Sequence, residues 1–298
     1  MFDFCAVGHV TRDVIRIAGR PARRQPGGAA LYAAMAAARL GLRTAVVTRM
    51  RREDQGPLLS GLEAAGVMVF CRPSRRTSFF ENIYPGPDPD LREQVIGPPA
   101  DPFARVDLEG VSARAYLLDP RTRRDGFASF LKVAAAKQAL IALEVQGFVR
   151  LFTGPRARPG QLEREIAGFR FVNVLKAGAD EAAALTGEGD AEEAVRRLAA
   201  LGPSAAIVTL GSRGSLVFAE GRLHRIPAFS PRKLVDATGC GDTYLAGYVY
   251  RRLQGGGPEQ CGRFAAALAT LKLERYGPFT GSAGDVEALL SKARAAGV

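Results

Sequence analysis

Histidine, tryptophan and cysteine are scarce in this chain. Its 298 residues contain two His, no Trp and four Cys. His9 and His224 alone do not predict a catalytic or metal site built on clustered histidines. The cysteines lie far apart, at positions 5, 71, 240 and 261, and predict neither a disulfide framework nor a zinc site. Carboxylates, Lys, Arg and backbone groups must therefore supply the chemistry, and a reducing, cytoplasmic compartment is expected.

Long apolar runs are also absent. A helix that spans a bilayer needs about 18–20 predominantly apolar residues, and Arg, Gly or Lys interrupts even the alanine-rich stretches. The N-terminal segment Met1–His9 has no basic region and carries Asp3 inside its first apolar run, so it predicts a β-strand rather than a signal peptide. We expect no membrane partner.

Basic residues outnumber acidic ones, with 41 Lys+Arg against 30 Asp+Glu and a formal net charge of +11. A charge of this size raises the question of a nucleic-acid partner. No helix-turn-helix or zinc-finger pattern accompanies the arginine doublets, which are scattered at 23–24, 51–52, 75–76, 123–124 and 251–252. We interpret most of them as solvated surface and predict no nucleic-acid partner.

Strand-like and helix-like segments alternate along the chain, which predicts an α/β fold. The predicted core strands are short and mostly apolar: Phe4–Val7, Thr44–Thr48, Val67–Cys71, Ala115–Leu118, Leu140–Glu144, Phe171–Leu175 and Ala206–Leu210. The predicted helices are Ala29–Leu40, Pro57–Ala65, Asp180–Leu185, Ala191–Leu201, Asp242–Leu253, Gln260–Leu273 and Asp285–Ala296. Because no linker interrupts this alternation, we predict a single domain over residues 1–298.

Two segments depart from the alternation. Asp13–Ile17 and Ser78–Ile96 have strand-like residues with polar alternation, but prolines interrupt the second. They predict a small accessory sheet, with segments at about 10–20 and 72–98, rather than core strands. Such a sheet is a natural lid over a site.

A Gly-x-Gly turn precedes one predicted helix, within Leu234–Tyr250. Backbone N–H groups at such a helix N-terminus lack intrahelical acceptors and form an anion site. Asp242 follows the turn directly, and a base beside a phosphate cradle suggests phosphoryl transfer. Asp242 could instead only cap the helix. The turn is neither a Walker A loop nor the Rossmann fingerprint.

The segment Asp236-Ala-Thr-Gly-Cys-Gly-Asp242 resembles the signature of the ribokinase-like carbohydrate kinases, the phosphofructokinase-B family. The resemblance implies that Asp242 is the general base and that the backbone of Gly239, Cys240 and Gly241 forms the anion hole. Cys240 replaces the usual alanine, a change that leaves its N–H in place.

The acceptor side of the family's site also has counterparts here. Gly27 and Gly28 lead into a helix as in the family's N-terminal signature, after Asp13, which the resemblance implies binds substrate hydroxyls. A helix packed through small residues is the structural alternative for the di-glycine motif. Further acceptor candidates are Tyr32, Glu81, Asn82 and Gln146, although polar residues on an exposed lid would look the same.

The donor side is implied by two further motifs. Lys176 to Glu181 is similar to the family's Asn-x-x-Glu motif, with Gly178 in place of Asn, so Glu181 is the expected partner of Mg²⁺ through water. Thr209, Gly211 and Gly214 resemble its nucleotide-binding turn, for which a glycine hairpin is the structural alternative. Three more residues complete the implied nucleotide side: Lys176, Asp236 and Arg150, the last of which could also be a surface residue.

The resemblance covers nearly the whole chain and implies a ribokinase-like three-layer α-β-α sandwich with a mostly parallel sheet and a small β lid. It implies a kinase that transfers the γ-phosphoryl group of ATP, with Mg²⁺, to a small polyhydroxylated substrate. Its details are similar to the inositol kinase-like and archaeal sugar or nucleoside kinase-like branch. A monovalent cation is an additional candidate cofactor, and the exposed lid invites homodimer pairing. The alternative is a catalytically silent relative that binds a sugar or nucleotide as a regulator.

Overall fold

A nine-stranded sheet forms the centre of the molecule, and a four-stranded sheet lies beside it. The computed structural model describes residues 1–86, 93–120, 138–147, 149 and 167–297. The strands are β1 (Phe2–Val7), β2 (Thr11–Ile17), β3 (Arg23–Gly27), β4 (Thr44–Met50), β5 (Met68–Pro73), β6 (Phe79–Tyr84), β7 (Glu93–Ile96), β8 (Ala113–Leu118), β9 (Leu140–Glu144), β10 (Val174–Gly178), β11 (Ala205–Thr209), β12 (Ser215–Ala219) and β13 (Arg222–Ile226). The helices with assigned bounds are α1 (Ala29–Arg39), α2 (Arg52–Ala64), α3 (Ala179–Thr186), α4 (Ala191–Ala200), α5 (Cys240–Leu253), α6 (Pro258–Leu273) and α7 (Ala283–Ala295).

The large sheet is parallel except at one edge. Its order is β13-β12-β11-β10-β9-β8-β1-β4-β5, and β12 pairs antiparallel with both β11 and β13, whereas all the other pairs are parallel. Apolar residues on one face pack with α1, α2, α5, α6 and α7, whereas those on the other face pack with α3 and α4. The predicted three-layer α-β-α fold with a mostly parallel sheet is therefore confirmed. Within the described ranges no helix is long and apolar enough to cross a membrane.

The small sheet confirms the predicted accessory sheet and has the order β3-β2-β6-β7. We call it the lid. Burial alternates along its central strands: Asp13, Phe80 and Asn82 are buried, whereas Arg12 and Arg16 are exposed. Strand β3 was not predicted, because its sequence Arg-Arg-Gln-Pro-Gly has no apolar alternation. Pro26 is tolerated there because β3 is an edge strand.

Some predicted boundaries were wrong by several residues. Phe171 was assigned to a core strand but ends a 3₁₀ turn, and the strand begins only at Val174. The buried Phe169 and Val172 show why: an apolar run reports burial, not extended backbone. Helix α2 begins at Arg52, not Pro57, so that Pro57 lies inside the helix.

Candidate active site

The turn before α5 has the geometry of an anion site. Gly239 adopts a left-handed conformation with φ 78° and is the N-cap of the helix, which begins at Cys240 rather than at Asp242 as predicted. Among the described residues, the N–H groups of Gly239 and Gly241 have no hydrogen-bond acceptor. A Cβ on Gly239 would lie 2.3 Å from the Tyr32 ring, so only glycine fits against that ring. The turn thus offers free N–H donors at the positive end of a helix dipole.

Asp236 and Lys272 hold this turn from inside the protein. Asp236 is buried, and its Oδ1 accepts a hydrogen bond from the Thr238 N–H at 2.9 Å. The Lys272 ammonium donates to the Asp236 carbonyl at 2.8 Å and lies 3.5 Å from its Oδ2. Asp236, a predicted nucleotide contact, therefore stabilises the turn in this structure. Lys272 was not identified from the sequence, although a lone Lys between Leu271 and Leu273 was a signal.

Tyr32 lies between the acceptor candidates and the turn. It is buried, and its hydroxyl accepts a hydrogen bond from the Gln25 side chain at 3.1 Å. Burial, with the carboxylates of Asp236, Asp13 and Asp242, raises the pKa of Tyr32 well above its ordinary value. Three predicted site carboxylates therefore act on the same hydroxyl: Asp236 before the turn, Asp13 on the lid and Asp242 on α5.

Asp13 and the di-glycine motif fit closely against each other. The Asp13 carboxylate accepts a hydrogen bond of 2.5 Å from the Thr11 hydroxyl. A Cβ on Gly27 would lie 2.1 Å from the same carboxylate, and one on Gly28, with φ 93°, would lie 2.2 Å from the His9 carbonyl oxygen. Both glycines are required by close packing, which brings Asp13 to the start of α1.

The other two acceptor candidates on the lid, Asn82 and Glu81, lie on opposite faces of that sheet. Asn82 is buried on the same face as Asp13, and its Oδ1 accepts a hydrogen bond from Gln94 at 2.6 Å. Glu81 lies on the opposite face and is paired with Arg16. The structure thus brings Asn82, but not Glu81, to the side of the lid that carries Asp13.

The lid is tied to the turn by a hydrogen bond of 2.9 Å between the hydroxyls of Tyr84 and Thr238. We expect Tyr84→Phe to lower the free energy of unfolding by about 0.5–1.5 kcal/mol, as the loss of a typical hydrogen bond does. Urea denaturation measures this change. A double-mutant cycle with Thr238→Val tests its origin: additive losses from the two substitutions would contradict a direct link between the residues.

A second polar group lies at the carboxyl edge of the large sheet. Glu144 and Lys176 are neighbours in register on β9 and β10, are both buried, and form a hydrogen-bonded ion pair of 2.7 Å. Burial alone would lower the pKa of Lys176, but the carboxylates of Glu144, Glu181 and Asp242 outweigh it and raise that pKa. The residue remains an ammonium ion close to α5. No role for Glu144 was inferred from the sequence.

The donor candidates occupy the same edge. Thr209 ends β11, and its hydroxyl donates to the Ala177 carbonyl at 3.4 Å. Gly211 and Gly214 have φ values of 59° and 90° in the turn of the antiparallel β11–β12 hairpin. Glu181 accepts a hydrogen bond of 2.7 Å from the Gly178 N–H and so caps its own helix. Gln146 follows β9 and is half-buried, whereas Arg150 lies outside the described residues.

Comparisons with known proteins identify the family that this chain matches. Residues 123–283 match the model of the pfkB family carbohydrate kinases. A cytidine kinase of Thermococcus kodakarensis is 26% identical over 288 residues, which cover 94% of this chain and 99% of that protein.

Among solved structures, a pyrophosphate-dependent kinase of the ribokinase family, described as a sulfate complex, is 30% identical with a TM-score of 0.82. The match covers 96% of this chain and 99% of the other. Another, described as a complex with a pyrophosphate analog and myo-inositol, is 28% identical with a TM-score of 0.81 and the same coverage.

Proposed function

Because the chain belongs to the pfkB family of carbohydrate kinases, and is thus a phosphotransferase that acts on an alcohol group, we propose that Asp242 is its general base. The acceptor is a sugar, a polyol such as an inositol, or a nucleoside. The Gly239–Gly241 turn receives the transferred phosphoryl group. A single observation carries this proposal: Asp242 stands in the first turn of α5, directly after Gly241, whose N–H group, like that of Gly239, has no acceptor among the described residues, whereas the Cys240 N–H donates to the Ala237 carbonyl at 3.2 Å.

The transfer follows from the residues around the turn. Asp242 takes the proton of the acceptor hydroxyl while the acceptor oxygen bonds to phosphorus and the bond to the donor's leaving phosphate breaks. Negative charge on the phosphoryl oxygens meets the N–H groups of Gly239 and Gly241. These donors are preorganised, since Asp236 and Lys272 hold the turn before any ligand binds.

Asp13 and Tyr32 are suited to orient the acceptor. The Asp13 carboxylate can accept hydrogen bonds from hydroxyls, and Asn82 on the same lid face adds an amide. Closure of the lid over these groups would exclude water and limit hydrolysis of the donor. Glu81 is not part of this proposal, because it lies on the other face of the lid.

The residues present fit a magnesium ion held mainly by phosphates and water. Among the described residues, no group of three or more His, Cys, Asp or Glu side chains could enclose a metal. Mg²⁺ commonly keeps several waters and takes only one or two carboxylates together with substrate phosphates. Glu181, an oxygen donor beside Lys176 and Glu144, would hold it through water. When bound, the ion neutralises charge on the donor phosphates.

Two donors remain candidates. The family resemblance implies that ATP is the donor. The residues that it implies for nucleotide binding include Thr209, Gly211, Gly214 and Lys176. Inorganic pyrophosphate is the second candidate, supported by the similarity to two structures described as pyrophosphate-dependent kinases. The cytidine kinase relative supports a nucleoside acceptor, whereas the complex with myo-inositol supports a polyol.

We expect Asp13→Asn to raise the acceptor KM by about 10- to 100-fold, because a hydrogen bond to a charged group contributes about 1.5–3 kcal/mol. The donor KM should change little, since Asp13 lies on the lid rather than at the donor candidates. Steady-state kinetics with each substrate varied in turn measure both constants. Asp3→Asn is the matched control, because Asp3 is a carboxylate near the start of β1 that pairs with Arg43 and Arg114 rather than with any acceptor candidate. An unchanged acceptor KM in Asp13→Asn would remove Asp13 from the acceptor site.

A matrix of donors and acceptors tests the proposed function. ATP and pyrophosphate are each combined with Mg²⁺ and a panel of pentoses, hexoses, inositols and nucleosides, and ADP or phosphate release is followed. The proposal predicts that one acceptor raises release well above the background without acceptor. Donor binding without stimulation by any acceptor would favour the silent-relative alternative instead.

A further inference from the structure

A cavity with a volume of about 340 Å³ lies at the end of the large sheet opposite to the proposed active site. Its walls include the first residues of three parallel strands, Leu140, Val174 and Ala205, and the last residue of the antiparallel strand β12, Ala219. These residues mark the amino edge of the sheet, whereas the donor candidates lie at its carboxyl edge. The cavity is therefore separate from the site proposed for phosphoryl transfer.

Tyr248 on α5 is a buried polar residue in the wall of this cavity. Its side chain is 1% exposed, and its hydroxyl has no hydrogen-bond partner among the described residues. Tyr244, one turn earlier on the same helix, differs in this respect, because its hydroxyl forms a hydrogen bond of 2.7 Å with Ser215. Buried polar groups are normally satisfied, and an exception calls for an explanation, of which a ligand site is one. Burial raises the pKa of Tyr248, so the hydroxyl stays protonated and can donate.

Two charged side chains at the cavity lack ionic partners. Arg252, in the last turn of α5, donates from Nη1 to the Gly256 carbonyl at 3.2 Å, and no carboxylate in the described part of the chain pairs with it. Glu220, which follows β12, has no ion pair there either. Both charges act on the Tyr248 hydroxyl, so the three groups surround the same space.

Asn173 adds a further hydrogen-bond donor to the wall of the cavity. Its Oδ1 accepts a hydrogen bond of 2.7 Å from the Ile141 N–H, and this contact identifies which end of the amide is the oxygen. Its NH₂ group has no acceptor among the residues that the structure describes. Three side chains of the wall thus have donors to offer, whereas Glu220 offers a carboxylate.

We propose that this cavity binds a small polyhydroxylated anion, a sugar phosphate or a sugar acid, as a second ligand that does not react. Its anionic oxygens accept hydrogen bonds from Arg252, Tyr248 and Asn173, since charge-assisted bonds of this kind are among the strong ones. A hydroxyl group of the ligand donates to Glu220. The volume lies within the range of small-molecule sites, about 300–1,000 Å³.

The position of the cavity explains why its ligand does not react. Asp242 and Arg252 lie in the first and last turns of α5. With a rise of about 1.5 Å per residue, they are separated by about 15 Å along the helix axis. A small ligand held by Arg252 therefore does not reach the proposed base, and this inference does not rest on the proposed function.

Isothermal titration calorimetry of the whole protein with ribose 5-phosphate and, separately, with gluconate tests the site and distinguishes a phosphate from a carboxylate as the anionic group. Inorganic phosphate is the reference, because it has the charge but no carbon-bound hydroxyl for Glu220. We expect the better of the two probes to bind at least about 10-fold more tightly than inorganic phosphate, as added hydrogen bonds provide. No binding of either probe, or affinity equal to that of inorganic phosphate, would overturn the proposal.

Tyr248→Phe shows where the probe binds. It removes a hydroxyl without a partner in the described protein, so we expect unchanged thermal stability and an affinity for the better probe that is lower by about 10- to 100-fold. Tyr244→Phe is the matched control: it removes the hydrogen bond to Ser215 and should lower stability without changing that affinity. Arg252→Gln should weaken binding by a similar factor as Tyr248→Phe. Equal affinity in wild type and Tyr248→Phe would place the probe elsewhere and overturn the proposal.

This inference and the proposed function fail in different ways. Tyr248 lies outside the proposed active site, so Tyr248→Phe should keep the wild-type kcat when neither probe is present. If wild type is an active kinase but binds no probe through Tyr248, the further inference fails and the proposed function stands. If wild type binds a probe through Tyr248 but phosphorylates no acceptor, the proposed function fails and the second site stands.

Discussion

The variant Asp242→Asn is expected to lose most of its phosphorylation activity, with kcat lower by about 10²–10⁴-fold, the usual contribution of a general base. Asparagine has the same shape and can still occupy the first turn of α5, but it cannot take the acceptor proton. Because the N–H groups of Gly239 and Gly241 are unchanged, binding of ADP or pyrophosphate should persist. Single-turnover kinetics and calorimetry measure the two quantities separately.

The control for this variant is Glu259→Gln, which removes a carboxylate from the first turn of another helix, α6. It tests whether loss of a favourable charge near a helix dipole alone changes the rate. We expect its activity to equal that of wild type. Near-normal turnover by Asp242→Asn would instead show that Asp242 only caps its helix, the alternative that its sequence position also allows.

Gly239→Ala is expected to have the second largest effect, a decrease in kcat/KM of about 10²–10³-fold, comparable to the loss of an oxyanion-hole donor. The added methyl group would lie 2.3 Å from the ring of Tyr32, which is buried and packed in the hydrophobic core. The φ of 78° at this position is also energetically unfavourable for alanine, because alanine has a Cβ. The turn must shift, and its N–H groups then no longer converge on one anion. Steady-state kinetics measure the loss.

Gly187→Ala distinguishes a displaced turn from general backbone strain. Gly187 ends α3 with φ 76°, and an added Cβ there would meet no atom within 4 Å. Its substitution therefore imposes similar strain without a clash, and we expect lower stability with unchanged kcat/KM. Equal activity losses in the two variants, after correction for the folded fraction, would contradict the proposed role of the turn.

Local sequence signals predicted the parts of the site that lie within one segment. The turn consists of four consecutive residues, Gly239, Cys240, Gly241 and Asp242. The turn and the helix that follows it could therefore be inferred without knowing the fold. Gly27 and Gly28 before α1 were also found from one segment, although the atoms that they approach belong to Asp13 on β2 and to His9 between β1 and β2. In the turn segment the one difference is the start of α5, which lies at Cys240 rather than at Asp242.

Contacts that depend on strand register or on distant segments could not be predicted in this way. Glu144 and Lys176 meet because β9 pairs with β10, and Lys272 reaches Asp236 from α6. Neither contact has a local signal beyond a charged residue in an apolar run. One distinction was available from the sequence: Glu81 and Asn82 are adjacent in a strand, so their side chains must point to opposite faces of the lid.

Phosphorus NMR of the wild-type protein with donor, Mg²⁺ and the acceptor panel tests the central claim most directly. The account predicts that a new phosphomonoester signal appears in step with loss of ATP or pyrophosphate, and that Asp242→Asn forms it at least about 100-fold more slowly. Intact donor with every acceptor, or conversion of the donor to inorganic phosphate alone, would contradict the assignment of this site to phosphoryl transfer.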